Sequence, residues 1–521
     1  MMVNRAEASL TTTTTTLIFF VLMMAMLTPR ALSFQLHRLS GRVVEGRARI
    51  RNNQSSKREI FYDGMQLPLF GSTQSSVHPL HLQQSNTTST TAKRDYRDAK
   101  HRKFKLPPPP PPPPPEASEF PEWAFQDREF FKFELIHQSK KPGSQARVGR
   151  IHTPHGIIDT PGFVAVGTNA ALKGVDFRDA DDAGQQLIFS NTYHLMLHPG
   201  ADIIEAAGGI HKFTKRNRPF ITDSGGFQVF SLAYGSVHEE LSSKGELKRS
   251  GKRQSRNNHL NDAVKVTEDG AIFRSYRDGS SFLLTPESTV QAQKSIGADI
   301  IIPLDELPPY HTTLEDLAIS VERSHRWEAR SLQEHLRNVK EQAMYCVVHG
   351  GIDKDLRTKS VEYLTSLPFD GYAIGGSLGN GREELKELLE WMMPLFDEDV
   401  ARAKKPRHLL GIADEESIRN AVTRGIDTLD SCYPTRVGRH GTILTRAGSI
   451  KIKSGKYSQA FGEKLDPECN CKTCQTYDRA YMWHLFKAKE PVAEHLATLH
   501  NIAYMNDLMT RLRQDIMEDK I

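Results

Sequence analysis

The sequence predicts an α/β fold, a (β/α)8 TIM barrel with a small metal-binding subdomain inserted near the C-terminus. Three observations support this prediction. Eight short apolar runs recur between residues 126 and 521, amphipathic stretches separate several of them, and three of the five cysteines fall within six residues. Repeated strand–helix units predict a parallel sheet with helices outside it. Eight such units in one domain favour a closed barrel over a doubly wound sheet, which is the alternative.

The composition is that of an ordinary soluble globular protein and sets few limits on function. The chain has 521 residues, of which 25% are charged and 38% are hydrophobic, and its formal net charge is +5. These fractions are close to the average for globular domains. The small charge permits a nucleic-acid partner without indicating one, because nucleic-acid-binding domains usually carry a clear basic footprint.

The first hundred residues have the composition of a targeting segment. The apolar run Leu17–Leu27 is too short to cross a bilayer as a helix and is typical of a signal peptide, with a small-x-small cleavage pattern at Ala31–Ser33. The segment that follows begins basic and is rich in Ser, Thr and Gln, like a transit peptide. We expect residues 1–33 to be a signal-like leader and residues 34–106 a transit-like segment. This bipartite pattern favours a plastid over a mitochondrion, and a cytoplasmic location is the alternative.

Nine consecutive prolines, Pro107–Pro115, follow the transit-like segment. Such a run forms a stiff polyproline II spacer and cannot belong to a packed core. We therefore assign residues 107–125 to a proline-rich linker and residues 126–521 to one catalytic domain. The chain before residue 125 is expected to lie outside the fold.

The eight apolar runs are rich in β-branched residues and have the length of buried strands. They are Gly162–Val166, Gln186–Phe189, Pro219–Thr222, Ile300–Leu304, Met344–Val348, Gly371–Ile374, His408–Ile412 and Thr428–Leu429. Helical spacing is clearest in Pro286–Ser295, Thr313–Leu336 and Arg382–Met393. The basic, polar stretch at 242–262 interrupts this pattern, and we interpret it as a solvated surface insertion rather than a dedicated RNA-binding element.

The cysteine cluster Cys469, Cys471 and Cys474 predicts a metal site. An odd, closely spaced set does not fit a disulfide framework, whereas three thiolates at this spacing converge on one ion. A downstream histidine would complete the tetrahedral Cys3His shell of a structural zinc, which has no open position for a reactive water. Spacing alone leaves three candidates for the fourth ligand, namely His484, His495 and His500.

Three aspartates stand at the carboxyl ends of predicted barrel strands. Asp223 begins the segment DSGGFQ, Asp305 closes the run IIIPLD, and Asp430 ends the last run, with Arg436 and Arg439 following it. The active sites of TIM barrels lie at this end of the strands, where carboxylates can act as nucleophile, general base or base-recognition group. The arginines suit phosphate or a polynucleotide backbone. Each acid alone is equally well explained as a helix cap or a loop charge, and a divalent-metal hydrolase would need paired histidines that we do not see.

Five long motifs resemble signatures of the tRNA-guanine transglycosylase family. The motifs are SNTYHLMLHPG (Ser190–Gly200), TDSGGFQVFSL (Thr222–Leu232), FRSYRDGSSFLLTPE (Phe273–Glu287), GYAIGGSLG (Gly371–Gly379) and the CxCxxC…H zinc site. The similarity runs from about Phe133 to the C-terminus. The interval between the cysteines and His500 also resembles that of the family, which favours His500 as the fourth zinc ligand.

The resemblance implies an enzyme that exchanges guanine at anticodon position 34, in a tRNA with a GUN anticodon, for a free deazaguanine base (queuine or preQ1). It implies that Asp430 is the nucleophile at C1′ of the ribose, that Asp223 is the general base, and that Asp305 binds the guanine-like edge. The implied base pocket comprises Asp223, Ser224, Gly225, Gly226, Phe227, Gln228, Asp305, His349, Gly376 and Leu410. The implied RNA contacts are Gly411, Ile412, Ala413, Asp414, Glu415, Glu416, Ser417, Thr435, Arg436, Val437, Gly438 and Arg439. The implied ligands of one structural zinc per chain are Cys469, Cys471, Cys474 and His500.

The sequence departs from the family pattern at three pocket positions. His349 stands where the family usually carries a glutamine, and a neutral imidazole cannot present a donor and an acceptor to one edge as an amide does. Gly379 replaces a bulkier valine of the bacterial enzymes, which would make room for a larger 7-substituent and favours queuine over preQ1. Leu307 stands where those enzymes often place a cysteine.

Two other functions predict different sequence features. A non-catalytic RNA-binding subunit of a heterodimeric queuine-inserting enzyme would be expected to lose the acids, and all three are present. An archaeal type that acts at another tRNA position would be expected to carry a further C-terminal RNA-binding domain, for which we see no room after His500. We expect a homodimer, or a heterodimer with a related subunit, without a membrane anchor in the mature form.

Overall fold

The computed structural model describes residues 110–234, 241, 264–275 and 279–521. The predicted leader, the transit-like segment and the basic insertion at 242–262 lie outside the described residues. Among the helices that are described, none is both long enough and apolar enough to span a membrane.

Strands in the described part of the chain form one closed barrel and three small antiparallel sheets. In chain order they are β1 (Lys132–Gln138), β2 (Arg147–Thr153), β3 (Gly156–Thr160), β4 (Gly162–Val166), β5 (Ile188–Ser190), β6 (Phe220–Thr222), β7 (Val264–Val266), β8 (Ala271–Arg274), β9 (Ser281–Leu284), β10 (Ile300–Ile301), β11 (Ala343–Val348), β12 (Gly371–Ile374), β13 (Arg407–Leu409), β14 (Thr428–Ser431), β15 (Thr442–Ile443) and β16 (Ile450–Lys451).

The barrel contains eight parallel strands in the order β4-β5-β6-β10-β11-β12-β13-β14, and β14 pairs with β4 to close the ring. Each of the eight apolar runs in the sequence supplies one of these strands. The predicted (β/α)8 barrel is therefore confirmed, and the doubly wound alternative is excluded because such a sheet does not close.

Most helices in the described ranges follow barrel strands and cover the outside of the ring, whereas Lys472–Thr476 and Arg479–Ala488 belong to the C-terminal subdomain. The described helices are Phe177–Asp182, Thr192–Leu197, Ala201–Ala206, Ile210–Thr214, Gly226–Tyr234, Pro286–Ile296, Leu314–Leu336, Lys354–Ser366, Arg382–Met392, Val400–Ala403, Glu415–Thr423, Tyr433–Arg439, Lys472–Thr476, Arg479–Ala488 and Pro491–Met517. Several begin at side-chain caps. The Thr313 hydroxyl, for example, accepts a hydrogen bond from the Asp316 N–H at the start of the longest barrel helix.

Alternation along the strands divides the core into two layers. In β11, Met344, Cys346 and Val348 pack outward against the helices, whereas Tyr345 and Val347 point into the barrel. The antiparallel sheet β1–β3 adds Ile151 and other apolar side chains to the interior cluster. This sheet contacts the amino ends of the barrel strands, because the turn between β2 and β3 reaches the residue before β10. The opposite, carboxyl end remains free for a site.

The packed part of the chain extends upstream of the boundary predicted at residue 126. Phe120 and Ala124, which fall within the predicted linker 107–125, are buried in the outer core layer. The Tyr363 hydroxyl donates a hydrogen bond to the Pro115 carbonyl at 2.9 Å. The last part of the predicted linker therefore packs against the barrel.

A small subdomain with its own core lies between the last barrel strand and the C-terminal helix Pro491–Met517. It contains β15, β16 and the helices Lys472–Thr476 and Arg479–Ala488, and its apolar cluster includes Cys474. The C-terminal helix contacts both this subdomain and the helix that follows β14. The predicted inserted subdomain is confirmed.

Candidate active site and metal centre

The carboxyl ends of neighbouring barrel strands present a set of polar residues. Asp223 follows β6 directly, Asp430 lies in β14, and His349 follows β11. Asp305 comes four residues after β10. Since these ends face one mouth of the barrel, all of these side chains lie on the face where TIM barrels carry their chemistry.

Asp223 is held by three N–H donors. Its Oδ2 accepts hydrogen bonds from the side-chain amides of Asn191 at 2.7 Å and Gln228 at 3.0 Å, and its Oδ1 accepts one from the Thr192 backbone at 2.8 Å. Burial nevertheless raises the pKa of Asp223 to about 6, and the nearby charge of Asp430 adds to the rise. A carboxyl group with a pKa near 6 can give and take a proton near neutral pH.

Asp430 is 7% exposed and is oriented by the neighbouring strand β13. Its Oδ1 accepts a hydrogen bond from the Gly411 N–H at 3.0 Å and lies 3.2 Å from Nε2 of His408. The other ring nitrogen of His408 lies 2.8 Å from the Thr428 hydroxyl, which fixes the ring. Gly411 has a φ of +79°, a left-handed conformation that suits glycine and turns its N–H toward the carboxylate.

Asp305 is the third acid at the mouth. Its pKa is raised to about 7, chiefly by burial and also by the charge of Asp223, although hydrogen bonds with its own backbone and with Ser224 lower it. A Cβ atom placed on Gly226 would lie 2.5 Å from Oδ1 and 2.8 Å from the carbonyl oxygen of Asp305. The glycines of the DSGGFQ segment therefore allow the backbone to approach Asp305 closely, and the three predicted acids share one electrostatic environment.

The remaining predicted pocket residues divide into those that face the mouth and those that hold others in place. Phe227 is 47% exposed, and Leu410 is partly buried against the barrel interior. Gln228 donates to Asp223 rather than standing free. Gly376 has a φ of +73°, and a Cβ there would lie 3.2 Å from Nδ1 of His349.

His349 lies behind Asp305 and is only 2% exposed. Its Nε2 is 3.3 Å from Oδ2 of Asp305 and 3.5 Å from Oε1 of Glu328, a buried acid on the helix Leu314–Leu336. The imidazole therefore contacts the acid that is expected to bind the base.

Gly379 does not open an empty space. Its φ is +101°, and a Cβ there would lie 2.6 Å from Cβ and 2.9 Å from Oε2 of Glu384. The Glu384 carboxylate accepts hydrogen bonds from the Asn380 N–H and the Tyr310 hydroxyl. The volume that a larger side chain at residue 379 would occupy is taken by Glu384.

The segments expected to contact RNA contain both structural and available residues. Asp414 caps the helix Glu415–Thr423 and also pairs with Arg382, which pairs with Glu416 as well. Thr435 is buried, and Gly438 packs closely against the C-terminal helix. Arg436 is exposed, and its side chain forms no ion pair with any residue in the described ranges. Arg436 is thus an exposed cation at the carboxyl end of the barrel.

The predicted metal ligands come together in the C-terminal subdomain. Cys469, Cys471, Cys474 and His500 each place one ligand atom within 4.8 Å of the others. Nδ1 of His500 lies 3.2 Å from Sγ of Cys474, whereas Nε2 lies 2.8 Å from the Leu444 carbonyl oxygen. The carbonyl holds the proton on Nε2, so the Nδ1 lone pair faces the sulfurs. This donor set fits one tetrahedral ion and selects His500 over the other two histidines.

A second group of possible ligands, His155, His211 and Asp299, lies at the opposite end of the barrel. The two imidazole rings are stacked 3.4 Å apart and nearly parallel. Lone pairs in parallel ring planes cannot both point at one ion, and each ring is already within hydrogen-bond distance of the Asp299 carboxylate, at 2.7 and 2.9 Å. We interpret this group as a hydrogen-bonded cluster that fastens the β2–β3 turn to the barrel.

Three residues that contact the acids or His349 were missed in the sequence. Asn191 falls within the motif SNTYHLMLHPG, to which no role was assigned, and His408 falls within a predicted strand. Glu328 lies in a predicted helix and carries no motif. Asn191 could have been recognised as a site residue because it directly follows a predicted strand. No feature of the sequence around Glu328 indicated a role in the site.

Comparison with known proteins agrees with this geometry. A family profile described as Queuine tRNA-ribosyltransferase matches residues 142–521. A protein of that name from Protochlamydia amoebophila is 55% identical over 392 residues, which cover 75% of this chain and 97% of the relative. Proteins of the same name from Chlamydia pneumoniae and Chlamydia abortus are 50% and 49% identical over 391 residues each, covering 75% of this chain and 99% of each relative.

Proposed function

Because the chain belongs to the queuine tRNA-ribosyltransferase family and is a pentosyltransferase that acts on tRNA and a free base, we propose that it replaces guanine at anticodon position 34 through a covalent ribosyl-enzyme intermediate. The observation that carries the proposal is the meeting of three aspartates at the barrel mouth, one buried and two partly buried, each with a different set of partners.

Asp430 is the proposed nucleophile. Its carboxylate attacks C1′ of the ribose, the bond from C1′ to N9 of guanine breaks, and the electron pair leaves with N9. The Gly411 N–H and the His408 ring hold one carboxylate oxygen, so that the other can be directed at the sugar. An exposed carboxylate free to rotate would lose this alignment.

Asp223 is the proposed proton donor and acceptor. In its protonated form it gives a proton to N9 of the departing guanine, and in the second step it removes the proton from N9 of the incoming base. That base then attacks C1′ and releases Asp430. A pKa of about 6 suits both directions near neutral pH.

The base is proposed to bind between Phe227 and Leu410, with its donor edge against Asp305. The guanine edge offers N–H donors, and an ionised Asp305 offers two acceptor oxygens. The target nucleotide must leave the anticodon-loop stack to reach this pocket, which is cheaper in a loop than in a duplex. Arg436 and Arg439 follow Asp430 and are proposed to contact the RNA backbone, Arg436 from its exposed position.

Queuine is the proposed incoming base, with preQ1 as the alternative. The support comes from the names of the relatives and not from an opening at Gly379, because Glu384 fills that volume. One zinc is proposed at Cys469, Cys471, Cys474 and His500, where four protein ligands would stabilise the subdomain. An organellar location, in a plastid before a mitochondrion, and a homodimer or a heterodimer with a related subunit remain proposals from the sequence.

The covalent intermediate can be tested on a denaturing gel with enzyme, unmodified tRNA and 9-deazaguanine. The wild type should give a slowly migrating protein–RNA species, and Asp430→Ala should give none, because the ester bond requires that carboxylate. Asp223→Ala should abolish turnover through loss of proton transfer, which typically contributes roughly 10²–10⁴-fold in rate.

Glu398→Ala serves as a control, because Glu398 is an exposed acid outside the base pocket, the RNA-contact segments and the zinc site. It should form the adduct like the wild type. An adduct that persists in Asp430→Ala and is lost in Asp305→Ala would show that another acid is the nucleophile. A wild-type protein that exchanges no guanine would favour the alternative function, a non-catalytic RNA-binding subunit. The presence of all three acids argues against that alternative.

A further inference from the structure

Glu328 is a fully buried acid in the middle of the long helix Leu314–Leu336. Its Oε2 accepts a hydrogen bond from the Val347 N–H of β11 at 2.8 Å. Its Oε1 has no hydrogen-bond partner within the described part of the chain and lies 3.5 Å from Nε2 of His349. Buried polar atoms nearly always have a hydrogen-bond partner, so an unpaired carboxylate oxygen at this depth is unusual.

His349 connects Glu328 to the barrel mouth. Its backbone N–H donates to the Ser360 hydroxyl at 3.1 Å, and its Nε2 lies 3.3 Å from Oδ2 of Asp305. Both acid oxygens therefore face the same ring nitrogen. Neither ring nitrogen has a hydrogen-bond partner in the described ranges, but Nε2 has the carboxylate oxygens of Asp305 and Glu328 within 3.5 Å, so the ring proton is best placed on Nε2.

Burial determines the charges of this group. It holds the pKa of Glu328 well above, and the pKa of His349 well below, its usual range. His349 is then neutral at pH 7, while Asp305, whose pKa is about 7, changes charge near neutrality. Other titratable or charged groups facing the cluster are Asp223, Glu306, His325 and Arg357.

We propose that His349 and Glu328 are positioning residues for Asp305, and this inference rests on the proposed function. The Nε2–H of His349 donates to Oδ2 of Asp305 and favours the carboxylate that accepts the N–H donors of the base. Glu328 keeps the ring proton on Nε2 by offering Oε1 as a second acceptor on that side.

The chemistry of the base makes this arrangement useful. A guanine-like edge presents hydrogen-bond donors, so a protonated Asp305 would set its own donor against them. A neutral donor behind the carboxylate stabilises the charged form without adding a cation to the pocket. Nothing in this arrangement requires His349 to touch the base.

The test compares His349→Phe with His349→Gln between pH 6 and pH 9, by measuring kcat and KM for radiolabelled guanine. Phenylalanine removes the donor, so the pKa of Asp305 should rise by about one unit and KM should be about tenfold higher at pH 6.5. The difference should disappear near pH 9, where Asp305 is ionised in both proteins. Glutamine keeps an N–H donor and should stay within about threefold of the wild type at every pH.

A merely structural role for His349 predicts a different pattern. It would raise KM equally at all pH values, or make the glutamine variant as poor as the phenylalanine variant, and either result would overturn the proposal. Loss of guanine exchange by the wild type would instead refute the proposed function.

Glu328 is tested with two variants of similar size. Glu328→Gln retains an acceptor oxygen and should keep the wild-type pH profile, whereas Glu328→Met removes the acceptor and should shift the profile in the same direction as His349→Phe. In the His349→Phe background Glu328→Met should add no further shift, because the imidazole through which it acts is absent. A further shift of equal size in that background would show that Glu328 acts on Asp305 directly and would overturn its assigned role.

Discussion

Replacing Gly226 by alanine should displace Asp305 and impair base binding without unfolding the barrel. Gly226 begins the helix Gly226–Tyr234 and does not need a left-handed φ, so alanine is compatible with the local backbone. The added methyl group would lie 2.5 Å from Oδ1 of Asp305 and 2.8 Å from its carbonyl oxygen. The second contact is with backbone, so a side-chain rotation alone does not relieve the clash.

The size of the effect follows from these distances. Non-bonded carbon and oxygen atoms are comfortable at about 3.5 Å, so Asp305 or the glycine loop must move by roughly 0.7–1 Å. A misplacement of about 1 Å at a reacting or binding group can cost roughly 10²-fold in rate. We therefore expect kcat/KM for guanine to fall by roughly 10²-fold, mainly through KM.

Steady-state exchange of radiolabelled guanine into tRNA measures this change. Gly455→Ala is a suitable control, because a Cβ at Gly455 meets no atom within 4 Å and its φ is also outside the left-handed region. It should leave kcat/KM unchanged. A Gly226→Ala enzyme with the wild-type KM for guanine, and a normal thermal unfolding curve, would show that Asp305 does not contact the base.

Three further predictions concern the metal, the proton and the RNA. Cys474→Ser should lower the bound zinc measured by elemental analysis and reduce the Tm, and a wild-type protein without metal would refute the assignment. Reaction of the trapped adduct with incoming base should quicken as pH rises through about 6, because Asp223 must be unprotonated to accept the proton. A pH-independent single-turnover rate would exclude Asp223 as the base. Because the folded pKa of Asp223 lies above the unfolded value of about 3.9, its contribution to the free energy of unfolding is present at low pH and is lost as the pH rises through about 6. Arg436→Ala should weaken tRNA binding and flatten its salt dependence while leaving KM for guanine unchanged, and an unaltered salt dependence would remove Arg436 from the RNA contact.

The barrel strands could be predicted because buried parallel strands are continuous apolar runs, but their ends could not. The run Ile300–Leu304 forms ladder pairs only at Ile300 and Ile301. Beyond them Gln293 bonds both the N–H and the carbonyl of Ile302, so a side chain from a neighbouring helix replaces the ladder. The hydrophobic pattern of the sequence does not indicate where a side chain will replace a strand partner in this way.

The same limit applies to the site. The acids were recognisable because they end strands, and the cysteines because of their spacing. The groups that orient the acids come from elsewhere in the sequence, as His408 does for Asp430 and Glu328 does through His349. Their roles arise from tertiary contacts across the barrel, and a single polar residue in an apolar stretch of sequence does not indicate which residue it will contact.

The pairing of β4 with β14 also constrains how the protein is made. Val164, in the first strand of the ring, lies opposite Asp430, in the last. During synthesis the growing chain therefore carries an incomplete sheet with unpaired strand edges until almost the whole domain has left the ribosome. Asp430 arrives with the strand that seals the ring, so a partly synthesised chain holds the other two acids and has no complete site.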